Sequence, residues 1–149
     1  MTIASYEYVT SRRPFVIRRR VRWSDCDPAG VVYTGKFSEY LMGAVMLFFA
    51  EIGGGNYSRW IETLGVDTPC KGLELTFHKA LWPEDDFDLT CTVSTVRESS
   101  FDIAIKATRP DGSPVFDGRF SPICIGRDER KRVPIPRGLL DAIGPHRAS

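Results

Sequence analysis

Two spacings of apolar residues divide the chain. Between positions 34 and 52, Phe37, Tyr40, Leu41, Ala44, Val45, Phe48 and Ile52 recur at the period of a helix face. Met42, Met46 and Phe49 put apolar side chains on the opposite side as well, so this helix is expected to be wrapped by the rest of the fold. Gly53-Gly54-Gly55 ends it, because glycine is a poor helix former. A short second helix is expected over residues 57–64, closed by Gly65. Beyond it the period becomes two. Leu73, Leu75 and Phe77 alternate with polar residues, as do Phe87, Leu89, Cys91 and Val93, and then Phe101, Ile103, Ile105 and Ala107 alternate with Asp102, Ala104, Lys106 and Thr108. Arg109-Pro110-Asp111-Gly112-Ser113 between two such runs is hairpin-turn chemistry. A further strand is expected from Pro114 to Ile125, with a break at Ser121-Pro122. A charged turn over 127–132 and an extended Val133-Pro134-Ile135-Pro136 follow. Upstream of the long helix, Phe15, Ile17, Val21 and Trp23 oppose Arg18, Arg20 and Arg22 in an earlier strand that Arg19 interrupts.

Strand, long apolar helix, then consecutive hairpin-connected strands predict an α+β fold, with an antiparallel sheet curled around one central helix. No repeat, linker or low-complexity tract divides the text. One domain over 1–149 is expected, with residues 1–13 as a loose lead-in and 136–149 as a C-terminal tail carrying one helical turn over 138–143.

Composition narrows the chemistry. Twenty Lys and Arg stand against 19 Asp and Glu, a net charge of +1. That balance lacks the electrostatic footprint of a nucleic-acid or polybasic membrane binder, so neither partner is expected. With only two histidines in 149 residues, a three-His zinc site within the chain is excluded, and no metal is expected. The N-terminal residues lack a basic stretch followed by an apolar one, the mark of a secretory signal. The apolar run from Tyr40 to Ala50 is short of the roughly 20 residues a membrane span needs and suits a core helix. Four scattered cysteines without a C-x-x-C fit reduced thiols and a cytoplasmic location.

The segment densest in chemistry is Ser24-Asp25-Cys26-Asp27-Pro28-Ala29-Gly30, between the early strand and the long helix. Pro28 restricts both itself and Asp27, and Gly30 permits positive φ. A carboxylate beside a helix N-terminus can act as nucleophile or general base, while unpaired N–H groups receive an oxyanion. The same Asp also suits a cap of the helix or turn, and from residue type and spacing both readings stand. Cys26, flanked by Asp25 and Asp27, is a poor thiolate. His78, on the polar side of its strand, reads as a surface or interface residue.

The string Asp25-Cys26-Asp27-Pro28-Ala29-Gly30-Val31-Val32, set before a long apolar helix, resembles the signature of the 4-hydroxybenzoyl-CoA thioesterase family of hotdog-fold acyl-CoA thioesterases. The pattern of strands extends the resemblance over most of residues 15–135. It implies a hotdog fold working as a homodimer or homotetramer, with active sites at the interface between subunits. It implies hydrolysis of an acyl-CoA thioester carrying an aromatic or medium-sized acyl group. Asp27 would be the catalytic carboxylate and the Thr34 N–H would polarise the carbonyl, with Gly30 and Tyr33 against the substrate. No cofactor would be needed, coenzyme A being part of the substrate. Two positions depart from the pattern. Thr34 stands where many members carry His, and Arg97 is the one basic residue where aryl-CoA members have a cluster. Arg127, Arg130, Lys131 and Arg132 offer an alternative charge for the CoA phosphates, although the same run also reads as a solvated turn. A non-catalytic acyl-CoA-binding module and a hotdog hydratase or dehydratase are the competing readings.

Overall fold

The computed structural model describes residues 5–148. Of the expected lead-in, positions 1–4 lie outside the described residues. Six strands form one antiparallel sheet in the order β1-β2-β5-β6-β7-β4. They are β1 (Glu7–Arg12), β2 (Phe15–Arg20), β4 (Cys70–Phe77), β5 (Asp86–Val96), β6 (Phe101–Thr108) and β7 (Pro114–Pro122). The long helix α1 (Lys36–Ile52) lies against the sheet, followed by α2 (Tyr57–Thr63). Two-residue strands β3 (Val66–Asp67) and β8 (Ile125–Gly126) pair apart from the main sheet, and α3 (Arg137–Ile143) is followed by a 3₁₀ turn over Gly144–His146. This is the α+β arrangement the sequence pattern predicts.

The core forms where alternation meets helical spacing. Phe87, Leu89, Cys91 and Val93 of β5, and Phe101, Ile103, Ile105 and Ala107 of β6, are all buried. Against them α1 buries Phe37, Tyr40, Leu41, Ala44, Val45 and Phe48. Aromatic edges meet across the interface, Phe48 on Phe15 at 5.5 Å and Phe37 on Phe116 at 5.6 Å between ring centroids. Gly118 of β7 lies beneath Leu41, so close that a Cβ there would overlap Leu41 Cδ1. The helix therefore sits on the sheet at a distance set by a missing side chain.

Register between β2 and β5 is fixed by charge as well as by apolar alternation. Arg18 faces Asp88 and Arg20 faces Asp86 directly across the ladder. Each guanidinium makes two hydrogen bonds to its carboxylate, at 2.8 and 3.0 Å. Arg19, which interrupts the apolar side, lies over the Tyr40 ring at 4.7 Å and donates to Glu7 of β1 at 2.7 Å.

Several expectations are corrected. The stretch expected as a loose lead-in contains β1. An edge strand wins its place by backbone pairing and leaves both faces largely open, so it carries no hydrophobic alternation. The early strand stops at Arg20. Trp23 instead enters a 3₁₀ turn over Trp23–Asp25, 71% exposed, with its indole N–H donating to Glu84. The helix starts at Lys36, not Thr34, and is not wrapped on every side: Met46 is 66% exposed. On β4 the apolar alternation is present but poorly covered, leaving Leu73 and Phe77 46% and 48% exposed at the sheet edge. The expected tail is part of the core. Leu139 and Ile143 of α3 are buried, the His146 ring packs on Phe48 at 5.0 Å, and the Ala148 N–H donates to the Val93 carbonyl at 2.9 Å.

Candidate active site

The turn holding Asp27 is a miniature hairpin. Cys26 and Val32 form an antiparallel bridge. Inside it the Asp27 N–H donates to the Val31 carbonyl, and the Gly30 N–H to the Asp27 carbonyl, both at 2.9 Å. Gly30 closes the turn at φ +86°, a conformation open to glycine at little cost. Asp27 Oδ1 accepts the N–H of Ala29 at 2.9 Å. The carboxylate thus closes its own turn and does not cap α1, whose N-cap is Gly35 without a side-chain bond. Among the described residues, Asp27 Oδ2 has no hydrogen-bond partner. The side chain is half-buried, so that oxygen can meet a substrate or a water.

The return arm of the hairpin leads into α1. Val32 is tied to the loop before β5 by its N–H, which donates to the Leu81 carbonyl at 2.9 Å. The next groups differ. Among the described residues the N–H groups of Thr34 and Gly35 donate to no protein acceptor, whereas those of Lys36 and Phe37 return to Tyr33 and Thr34. These free donors sit where a helix start presents unpaired N–H groups. Tyr33 is exposed, with its ring folded against Gly35 and Lys36 Nζ 6.0 Å from its centre.

Asp25, in the same segment, is buried. Its Oδ2 accepts the Tyr40 hydroxyl at 2.7 Å and the Arg22 N–H at 3.1 Å, and Lys36 Nζ lies 3.5 Å from Oδ1. Burial works against its charge, but these donors outweigh it and hold the carboxyl below the usual range. The Tyr40 phenol, desolvated and bonded to a carboxylate, is pushed strongly up and stays a donor. Burial first, then the Asp25 and Asp27 carboxylates, push the Cys26 thiol up, in keeping with its poor standing as a nucleophile.

Three of the candidate phosphate-binding arginines, Arg97, Arg127 and Arg130, are engaged by a carboxylate. Arg127 and Arg130 come together on Asp67, both at 2.7 Å. Arg97 stands elsewhere, its guanidinium forked onto buried Asp102 at 2.9 and 2.8 Å. A groove of about 420 Å³ runs beside Arg97, lined also by Lys71, Glu98 and Arg132. Lys71 and Arg132 make no ion pair among the described residues. Lys71 was missed from the sequence because it reaches this groove from β4, far along the chain from Arg132. His78 is a surface residue, 3.0 Å from Asp117.

Asp102 also accepts the Ser121 hydroxyl at 2.6 Å. The Arg97 fork is the main cause that brings its pKa down to about 2, with burial opposing and Ser121 assisting. A carboxyl depressed on folding contributes stability above its unfolded value, and that contribution fades as pH falls toward the folded one. Asp102→Asn is therefore expected to lower stability at pH 7 by about 1–2 kcal/mol, allowing for solvent screening at Arg97. The difference from the parent protein should narrow as pH drops from 5 toward 2. Urea midpoints across that range check it, and a gap independent of pH would refute the ionic origin.

Comparison with known proteins bears on the family and the fold. The family model described as the thioesterase-like superfamily matches residues 21–143. A 1,4-dihydroxy-2-naphthoyl-CoA hydrolase of Microcystis aeruginosa is 26% identical over 126 residues, spanning 85% of this chain and 90% of that protein. A thioesterase-superfamily protein of Jannaschia superposes with a TM-score of 0.80 at 29% identity, over 91% of this chain and 94% of the other. A 1,4-dihydroxy-2-naphthoyl-CoA thioesterase of Synechocystis superposes at 0.77 with 21% identity, over 87% and 95%. These structures share the hotdog arrangement of one long helix on a curved antiparallel sheet. By the span of the family match and by its fold, the chain belongs to the thioesterase-like superfamily, homologous to hydrolases of acyl-CoA thioesters.

Proposed function

We propose that this chain hydrolyses an aromatic acyl-CoA, with Asp27 as the reacting carboxylate and the Thr34 N–H as the oxyanion donor. One observation carries the assignment: a carboxylate oxygen and helix-start N–H groups that are unpaired among the described residues occur on a single loop of ten residues, 26–35. The aromatic acyl group is supported by the naphthoyl-CoA hydrolase among its relatives.

As general base, Asp27 takes a proton from water while the water oxygen adds to the thioester carbonyl carbon. As nucleophile, its oxygen adds instead and forms a mixed anhydride that water then opens. In both routes the carbonyl oxygen gains negative charge, which the Thr34 N–H stabilises, and the C–S bond breaks to release the CoA thiol. A panel of aromatic and aliphatic acyl-CoAs, read by trapping the free thiol, tests this directly. Turnover confined to aliphatic chains would overturn the aromatic preference, and binding without thiol release would favour a non-catalytic module.

The groove beside Arg97 fits the CoA phosphates, with Lys71 and Arg132 as its uncommitted cations. Lys71→Glu with Arg132→Glu is expected to raise KM for acyl-CoA about tenfold or more while leaving kcat close to the parent value. An unchanged KM would remove the groove from the substrate path. A second copy of the chain fits along β4, where an unpaired strand edge and the exposed Leu73 and Phe77 adjoin. Free cysteines at positions 26, 70, 91 and 124 suit a cytoplasmic setting.

A further inference from the structure

We infer that Asp25, through its bond to Tyr40, is the positioning residue that sets the Asp27 carboxylate and the Thr34 N–H in register with each other; this rests on the catalytic reading of Asp27. Asp25 makes contacts that hold both arms of the loop and the first two turns of α1. On the entry arm its Oδ2 accepts the Arg22 N–H at 3.1 Å, closing the 3₁₀ turn that delivers the chain to Cys26. On the return arm its backbone carbonyl accepts the Tyr33 N–H at 3.3 Å, one residue before the Thr34 donor. From the helix, Lys36 Nζ approaches Oδ1 at 3.5 Å and the Tyr40 hydroxyl reaches Oδ2 at 2.7 Å.

Asp27 lies two residues along one arm and Thr34 one residue along the other. Asp27 is held within its turn, and the Thr34 N–H has no partner among the described residues. The Cys26–Val32 bridge joins the two arms, and the fastening at the base of the loop sets where they sit against α1. That base is rigid because Tyr40 is fully buried, with its ring between Phe87 at 5.0 Å, Phe37 at 6.0 Å and the Arg19 guanidinium at 4.7 Å. A buried ring cannot follow a loop that drifts, so the loop is referred to the core. Reaction rates respond steeply to such placement, and a displacement of about 1 Å can cost two orders of magnitude.

The test compares Asp25→Asn, Tyr40→Phe and Asp27→Asn, singly and as Asp25→Asn with Asp27→Asn, by kcat and KM on a hydrolysed aromatic acyl-CoA and by thermal melting. Asp25→Asn is expected to lower kcat about 10- to 100-fold with KM within about threefold. Tyr40→Phe, which keeps the ring in the core but takes a donor from a buried carboxylate, should lower kcat in the same direction with a fall in melting temperature of a few degrees. In the Asp27→Asn background the Asp25 substitution should cost little more, because the group it positions is gone. Folded Asp25→Asn and Tyr40→Phe proteins with kcat within twofold of the parent would overturn the inference. So would a loss at Asp25 that persists at full size in the Asp27→Asn background. Failure of the underlying reading looks different: Asp27→Asn alone would then retain parental turnover.

Discussion

Replacing Asp27 with Asn is expected to lower kcat on an aromatic acyl-CoA by about 10²–10⁴-fold, the range over which a positioned acid or base contributes. The substitution is close to isosteric. The Asn carbonyl can still accept the Ala29 N–H that Asp27 Oδ1 now accepts at 2.9 Å, and the turn retains its Asp27–Val31 and Asp27–Gly30 backbone bonds. What disappears is the charge on the second oxygen. A folded variant that still binds acyl-CoA but no longer releases thiol is the expected result, read by single-turnover thiol trapping beside a binding titration. Parental turnover in this variant would end the assignment of Asp27. The competing role of Asp27 was to cap the helix or the turn, and its bond from the Ala29 N–H belongs to the turn. Asn keeps that bond, so the capping reading expects kcat per folded molecule to be unchanged, whereas the catalytic reading expects it to fall.

Gly118→Val is expected to destabilise the protein by about 3 kcal/mol, near the upper end for forcing volume into a packed core. At this chain length that corresponds to a fall in melting temperature of about 6–12 °C. The valine would meet Leu41 at the middle of the helix–sheet contact, with the Glu74 carbonyl and Leu75 on the other side. Strand propensity would favour valine over glycine, so the sign of the result discriminates. If β-propensity dominates, the variant is more stable; if the helix–sheet spacing dominates, it is less stable. Any helix that lifts off Gly118 also carries Tyr40 away from Asp25, since Tyr40 and Leu41 are adjacent. Loss of activity is thus expected to accompany loss of stability.

What could be read from the sequence follows the physics of each element. β5 and β6 have neighbours on both edges and a helix on one face, so burial imposed alternation on them, and Phe87 to Val93 and Phe101 to Ala107 display it, with Asp102 buried on the opposite face. β1 pairs along one edge and buries little, which left Glu7–Arg12 without a pattern to read. Trp23 continued the apolar spacing of β2, but Asp25 capped a 3₁₀ turn instead, and a local side-chain bond outweighed the periodicity. The exposed Met46 shows the limit of periodicity from the other direction, because spacing marks an apolar face without saying what covers it. In the site, Asp27 was legible because Pro28 and Gly30 announce the turn locally. The engagement of Arg97 by Asp102, of Arg127 and Arg130 by Asp67, and of Asp25 by Tyr40 joins residues from 5 to 63 positions apart, which no local pattern encodes.

The docking of the last described residues changes how the C-terminus can be handled. His146 covers Phe48 and Ala148 extends the ladder at Val93, so positions 137–148 form a clasp over one end of the core. Trimming back to Pro136 would expose Phe48 and the apolar side of α3's former site to water, giving an aggregation-prone molecule and not merely a shorter one. An affinity handle joined at this end would need a spacer long enough to leave the clasp closed.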